Sequence, residues 1–162
     1  MPLSTEALVM SLAGFMSGYY FSGAFVFMPA VLRAPPPLVA QQWKRAWDVG
    51  RIVGKVIVTS SAAGFAYLAY TEKDNIGSLR FQLLTAAAGI VGSIVPFTVI
   101  TSYPFNEAIN SQLFNSNGAS KKSDDAPATD LKALVAQWGQ TDFKRSLLAF
   151  LGTAVGLAGV LA

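Results

Sequence analysis

Two stretches of 26 residues, 7–32 and 81–106, carry no charged side chain. About 20 apolar residues in a helix cross the hydrocarbon core of a bilayer. A soluble chain of 162 residues has no place for two such runs, and only 13% of this one is charged, against about 25% in soluble domains. Lipid leaves an open backbone no way to satisfy itself except as helix. The chain therefore reads as one all-α membrane domain, 1–162. The expected architecture is a four-transmembrane-helix bundle with short amphipathic helices at one end and spans at about 7–32, 50–71, 81–103 and 143–162. The N-terminus lacks the basic region and small-residue cleavage site of a removable signal, so the first run reads as a retained span.

An even number of spans puts both termini on one side. Ten of the twelve Lys and Arg residues fall on the other, leaving only Lys73 and Arg80 opposite them. The positive-inside rule places the long loops in the cytoplasm and the termini in the lumen or exterior, in an endomembrane if the host is eukaryotic. The net charge of +3 thus reports topology. No basic stripe interleaved with aromatics points to nucleic acid. The composition of residues 115–128, NSNGASKKSDDAPA, predicts a flexible linker.

The chain has no histidine and no cysteine. That removes disulfides, thiol redox chemistry, Ser-His-Asp catalysis and every His- or Cys-ligated metal. A metal would have to rest on Asp, Glu or Asn oxygens, and no ligand spacing of that kind stands out.

Small residues recur four apart in each span: Gly14, Gly18 and Ser22; Gly50 and Gly54; Ala88 and Gly92; Gly152 and Gly156. Such spacing lets helix backbones approach closely. Packing inside the bundle is the expected use, with homo-oligomer formation as the competing one. The two long loops also resemble each other. Leu38-Val39-Ala40-Gln41-Gln42-Trp43 is matched by Leu134-Val135-Ala136-Gln137-Trp138, and each is followed by an acid, Asp48 or Asp142, and a base, Arg51 or Arg145. Two helix–loop–helix halves related by an axis along the membrane normal would bring both tryptophan segments to one mouth of the bundle, where such folds hold ligands.

Candidate residues concentrate there. Val39, Trp43 and Trp47 share one helical stripe, which serves either as an aromatic belt or as the walls of a pocket for a flat ligand. Arg51 and Lys55 lie one turn apart, with only sixteen uncharged residues after Lys55, so they either snorkel or face the bundle as site groups. Asp48 is the expected partner of Arg51. At the end of the third span, Tyr103-Pro104-Phe105-Asn106 reads either as a helix end with solvated polar groups or as a break that lines a cavity, with Asn106 able to hydrogen-bond a phenol or carbonyl. Trp138, Asp142 and Arg145 follow at spacings of four and three, one face of a helix, unless Thr141 caps the fourth span and Lys144 and Arg145 are plain positive-inside flanks.

At these residues the chain resembles the anthrone oxygenase family, small four-span membrane proteins of polyketide pathways. The resemblance is carried by Pro29, by Trp43, Trp47 and Gly50, by Pro96-Phe97-Thr98 with Pro104-Phe105-Asn106, and by Trp138 and Arg145. It covers nearly the whole chain except the linker. Two positions depart from the family's usual pattern: Trp47 stands where a tyrosine is common and Asp142 where an asparagine is. The resemblance implies oxidation of an anthrone to an anthraquinone by molecular oxygen as co-substrate, with no cofactor. On that reading Asp142 or Asp48 is the base. Arg145, Arg51 and Asn106 hold the phenolate oxygen, with Lys55 as a further cation. Trp43, Trp47, Tyr103 and Trp138 stack on a hydrophobic aromatic substrate that arrives through the bilayer. A non-enzymatic membrane scaffold subunit and a small transporter of an aromatic product are the competing functions.

Overall fold

A computed structural model describes residues 4–118 and 128–162, with side chains apart from those at 36–37, 112–118 and 128–130. Among the described residues the regular structure is helical throughout, and four helices are long and apolar enough to cross a membrane. We label them α1 (Thr5–Leu32), α2 (Pro36–Thr71), α3 (Leu79–Gly118) and α4 (Ala128–Leu161). Helix α1 packs on α2 and α4, and α3 packs on the same two, which closes the bundle.

Helix α1 begins at Ser4, whose Oγ accepts the Ala7 N–H at 3.2 Å. It departs from α geometry at Gly23–Phe27, a π-helical turn in which the Met28 N–H donates to the Gly23 carbonyl. Pro29 gives the reason. Its ring crowds the carbonyl four residues back, and a widened turn makes room. Pro36 then starts α2, where its fixed φ suits a first turn.

At 1.5 Å per residue, α2, α3 and α4 are about 54, 60 and 51 Å long, against about 30 Å of hydrocarbon. All three extend beyond the bilayer core at one end, here the loop end. The amphipathic segments are therefore not separate helices. They run straight on into their spans, because nothing between Trp43 and Gly54 is worse for a helix than Gly50 and because Val39, Ala40 and Trp43 are buried there. Neither a helix end nor a break occurs at Pro104. Helix α3 passes through Pro96 and Pro104, held by neighbours such as Ile109, which is fully buried beyond the second proline. Residues 115–118 of the predicted linker end α3 and Ala128 opens α4; residues 119–127 lie outside the described residues.

Two apolar clusters result. The larger one fills the half of the bundle nearest the termini with Val9, Met16, Val58, Phe65, Leu84, Val91 and their neighbours. The smaller one, at the loop end, joins Met28, Val31, Val39, Trp43, Ile109, Val135 and Trp138. The two matching loop segments thus meet in one cluster, with Val39 and Val135 both fully buried.

The end nearest the termini is tied by Arg80. Its Nε donates to Glu72 at 2.8 Å, its Nη2 to Glu6 at 2.5 Å and its Nη1 to the Val160 carbonyl at 2.8 Å. Close helix approach concentrates in the same half. A Cβ on Gly152 would sit 2.6 Å from Val91, and one on Gly156 would overlap the Phe65 ring. Gly14 and Gly18 behave differently: a Cβ on either would meet nothing within 4 Å. The predicted packing role does not hold for that pair.

Candidate active site

Between the two clusters lies a cavity of about 1120 Å³, slightly above the range of about 300–1,000 Å³ typical of small-molecule sites. All four helices line it. Eight of the predicted site residues reach its wall: Trp47, Arg51, Lys55, Tyr103, Asn106, Trp138, Asp142 and Arg145.

The most buried charged groups of the cavity are the pair on α4. The spacing of three residues brings Arg145 Nη2 to 2.9 Å from Asp142 Oδ1, with each side chain only 9% exposed. This is an ion pair by distance, yet it lies off the line that a hydrogen bond requires. Arg145 Nε and Nη2 are buried without a hydrogen-bond acceptor among the described residues. The guanidinium is instead held by rings, 5.4 Å from the centroid of Trp138 and 5.7 Å from that of Tyr20, at cation–π distance. Unaccepted N–H groups on a buried cation are costly, so the guanidinium is disposed to donate to an acceptor in the cavity.

Asp142 lies against Gly23, in the π-helical turn of α1. A Cβ at that position would stand 2.7 Å from Asp142 Oδ2. Glycine there gives the carboxylate its place. Helix α1 still has about 14 Å to run between Gly23 and Leu32, so the pair lies inside the bundle and not at its mouth.

Asn106 enters from α3. Its Oδ1 accepts the Trp138 Nε1–H at 3.0 Å, which fixes the indole as a wall and leaves the amide NH₂ as a donor. Beside it, the Ser102 and Thr141 hydroxyls are 3.2 Å apart and buried. Tyr103 stands at the edge of the cavity, 64% exposed.

Two expectations fail. Asp48 is not at the cavity and does not pair with Arg51: Lys44 Nζ binds both of its oxygens at 2.7 Å. On a helix the lysine four residues back reaches the acid as readily as the arginine three ahead, and Arg51 lies instead over the Trp47 ring, 5.1 Å from its centroid. Trp43 does not touch the cavity either. It is fully buried behind the wall, stacked on Trp47 at 5.9 Å and edge-on to Trp138 at 6.0 Å. It supports two lining tryptophans from behind the wall.

The structure adds residues that were not predicted. Tyr19 and Tyr20 line the cavity from α1, with their hydroxyls against Gly50 and Gly54. That glycine pair accommodates phenol rings and not a helix backbone. Gln42, Arg45 and Ser102 also line the wall. A signal for the tyrosines was present: two phenols inside an uncharged run need partners for their hydroxyls. Among the described residues no grouping of three acidic side chains could hold a metal ion.

The anthrone oxygenase family matches residues 43–155, the stretch that supplies most of the cavity wall. The chain is 24% identical over 160 residues to the anthrone oxygenase AgnL2 of Paecilomyces divaricatus, covering 96% of this chain and 94% of that protein. It is 24% identical over 159 residues to the anthrone oxygenase tpcL of Aspergillus fumigatus, covering 97% and 93%. It is 23% identical over 154 residues to the monooxygenase hypC of Dothistroma septosporum, covering 94% and 80%. No solved structure matches. With a family match over more than half its length and four helices able to span a bilayer, the chain belongs to the anthrone oxygenase family of membrane-embedded oxygenases.

Proposed function

We propose that the chain converts an anthrone-type polyketide to the anthraquinone with molecular oxygen and no cofactor, inside the cavity between the two apolar clusters. One observation carries this reading. A buried carboxylate and a buried guanidinium with unaccepted donors stand side by side in an aromatic-walled cavity. That combination offers a base and an anion holder to one flat molecule.

In the reaction Asp142 takes a proton from the methylene carbon of the anthrone. The electron pair moves into the ring system, and the carbonyl oxygen becomes an enolate. Arg145 Nε and Nη2, with the Asn106 amide, donate to that oxygen. Donors waiting in a water-poor site stabilise developing charge strongly, and loss of one typically costs about 10²–10³ in rate. The anion gives one electron to oxygen, and the resulting superoxide joins the carbon radical to form a peroxide. Asp142 returns its proton to the peroxide and then accepts the second methylene proton. The O–O bond breaks, one oxygen stays as the new ketone and the other leaves as hydroxide, which takes the proton to become water. Trp47, Tyr103 and Trp138 hold the rings flat, and Arg51 and Lys55 lie at the rim. The lysine and arginine excess keeps this end of the bundle on the cytoplasmic face.

The test is oxygen uptake by detergent-solubilised, chelator-treated protein supplied with a hydroxyanthrone, against the spontaneous rate and the Arg145→Ala variant. The expected result is one oxygen molecule consumed per quinone formed, undiminished by chelation and about 10²-fold slower in the variant. Uptake no faster than spontaneous oxidation sinks the proposal. Binding without turnover then points to a transporter, and absence of binding to a scaffold.

A further inference from the structure

We infer that the ligand of this cavity is an aromatic acid, whose ionised substituent is held at the rim by Arg45, Arg51 and Lys55 while its ring system reaches Asp142 and Arg145. The inference rests on the proposed use of the cavity for an aromatic substrate and narrows the class of that substrate.

Charge balance is the first argument. The cavity is lined by four cations, Arg45, Arg51, Lys55 and Arg145, and by one carboxylate, Asp142, which is taken by Arg145. The other acid on that stretch of α2, Asp48, has both oxygens bound by Lys44. Among the described residues Arg45, Arg51 and Lys55 make no ion pair. A cavity with low-dielectric walls and a surplus of one sign concentrates ligands of the other sign. The positive-inside rule accounts for cations at this end of the bundle, and an anionic ligand adds a reason for three of them to line one cavity wall.

Depth is the second argument. The sixteen residues from Val56 to Thr71 make about 24 Å of helix, short of the hydrocarbon thickness, so Lys55 lies at or inside the bilayer boundary. A cation there is expensive unless it has a counter-charge or water. A carboxylate arriving with the ligand provides the counter-charge.

The shape of the opening is the third. A Cβ added to Gly92 of α3 would lie 4.0 Å from the Ala62 Cβ of α2, and nearer the loop end both helices line the cavity. The α2 lip carries the three cations. The α3 lip carries Val95, Val99 and Tyr103, which are exposed and apolar. One charged lip opposite one greasy lip fits an amphiphile entering sideways, with its acid toward α2 and its rings toward α3.

The experiment is equilibrium binding to the full chain in nonionic detergent under argon, read by tryptophan fluorescence. The probes are anthraquinone-2-carboxylate and its neutral carboxamide. The wild type is expected to bind the carboxylate at least about tenfold more tightly, with the preference shrinking at high salt. The Arg45→Gln/Lys55→Gln double variant should reduce that preference to within about twofold. Equal affinity for the two probes in the wild type overturns the inference, and so does a preference that survives the double variant. If the double variant binds neither probe, Lys55→Arg and Lys55→Gln decide, since only the charge-keeping change should retain the preference. Phosphatidylglycerol retained by the wild type and lost by the variant, with no change in probe preference, would make the rim a lipid headgroup site and overturn it as well. Binding without oxygen is independent of turnover, so failure of the oxidase reaction and failure of this inference give different results.

Discussion

Gly23→Ala separates the chemistry of this protein from its stability. The backbone at Gly23 has φ −55° and ψ −52°, ordinary helical values that alanine adopts without strain. Alanine is the better helix former by about 0.8–1.0 kcal/mol. The added Cβ, however, would stand 2.7 Å from Asp142 Oδ2, whereas carbon and oxygen settle at about 3.3 Å or more. The carboxylate must retreat by about 0.6 Å, and it can do so because it ends a side chain with two rotatable bonds. A displacement of about 1 Å at a reacting group costs about 10²-fold in rate. A loss of about ten- to a hundredfold in kcat is therefore expected, or about 1.4–2.8 kcal/mol of barrier, with an unfolding midpoint no lower than that of the wild type. Oxygen uptake and thermal unfolding in the same detergent check both halves. Gly18→Ala is the control, since its Cβ would meet nothing within 4 Å. A kcat within twofold of wild type for Gly23→Ala would refute the claim that the position of the Asp142 carboxylate matters.

Arg145→Met leaves a buried carboxylate without its counter-charge and should destabilise the chain by about 3–5 kcal/mol; adding Asp142→Asn should recover most of that loss in a thermal melt while leaving oxygen uptake at the spontaneous rate. Gly156→Ala drives a methyl into the Phe65 ring and should lower stability by about 1–3 kcal/mol. In that variant uptake measured well below the melting temperature should stay near wild type, and Phe65→Leu should restore part of the melt.

What could be read from the sequence followed the strength of the local pattern. Trp138, Asp142 and Arg145 sit at spacings that only one helix face satisfies, and the structure puts all three at the cavity. Asn106 was legible because an amide beside a proline at the end of an apolar run has few uses. Asp48 was misread because two bases lie within one turn of it, and spacing alone does not say which one takes it. Trp43 and Trp47 share a stripe, yet the stripe does not reveal which tryptophan faces the ligand and which stands behind it. Tyr19 and Tyr20 gave a weaker signal: phenols in an uncharged run need partners for their hydroxyls, but the run does not say whether those partners are headgroups or a cavity. The continuity of α2 and α3 was obscured by treating charge as the end of a span, when the helix itself continues past the lipid.

The Arg80 clasp also has a mechanical consequence. Arg80 fastens the tips of the bundle to Glu6, Glu72 and Val160, and the tight glycine contacts lie in the same half. Asn106 stands 26 residues further along α3, about 39 Å from that fulcrum. At such a radius a tilt of about 5° carries the α3 lip through about 3 Å, close to the thickness of an aromatic ring. The loop-end cluster and the Asn106–Trp138 bond join α3 to its neighbours at that radius, so a planar molecule entering there by such a tilt would have to shift that cluster while the half pinched by Arg80 stays packed.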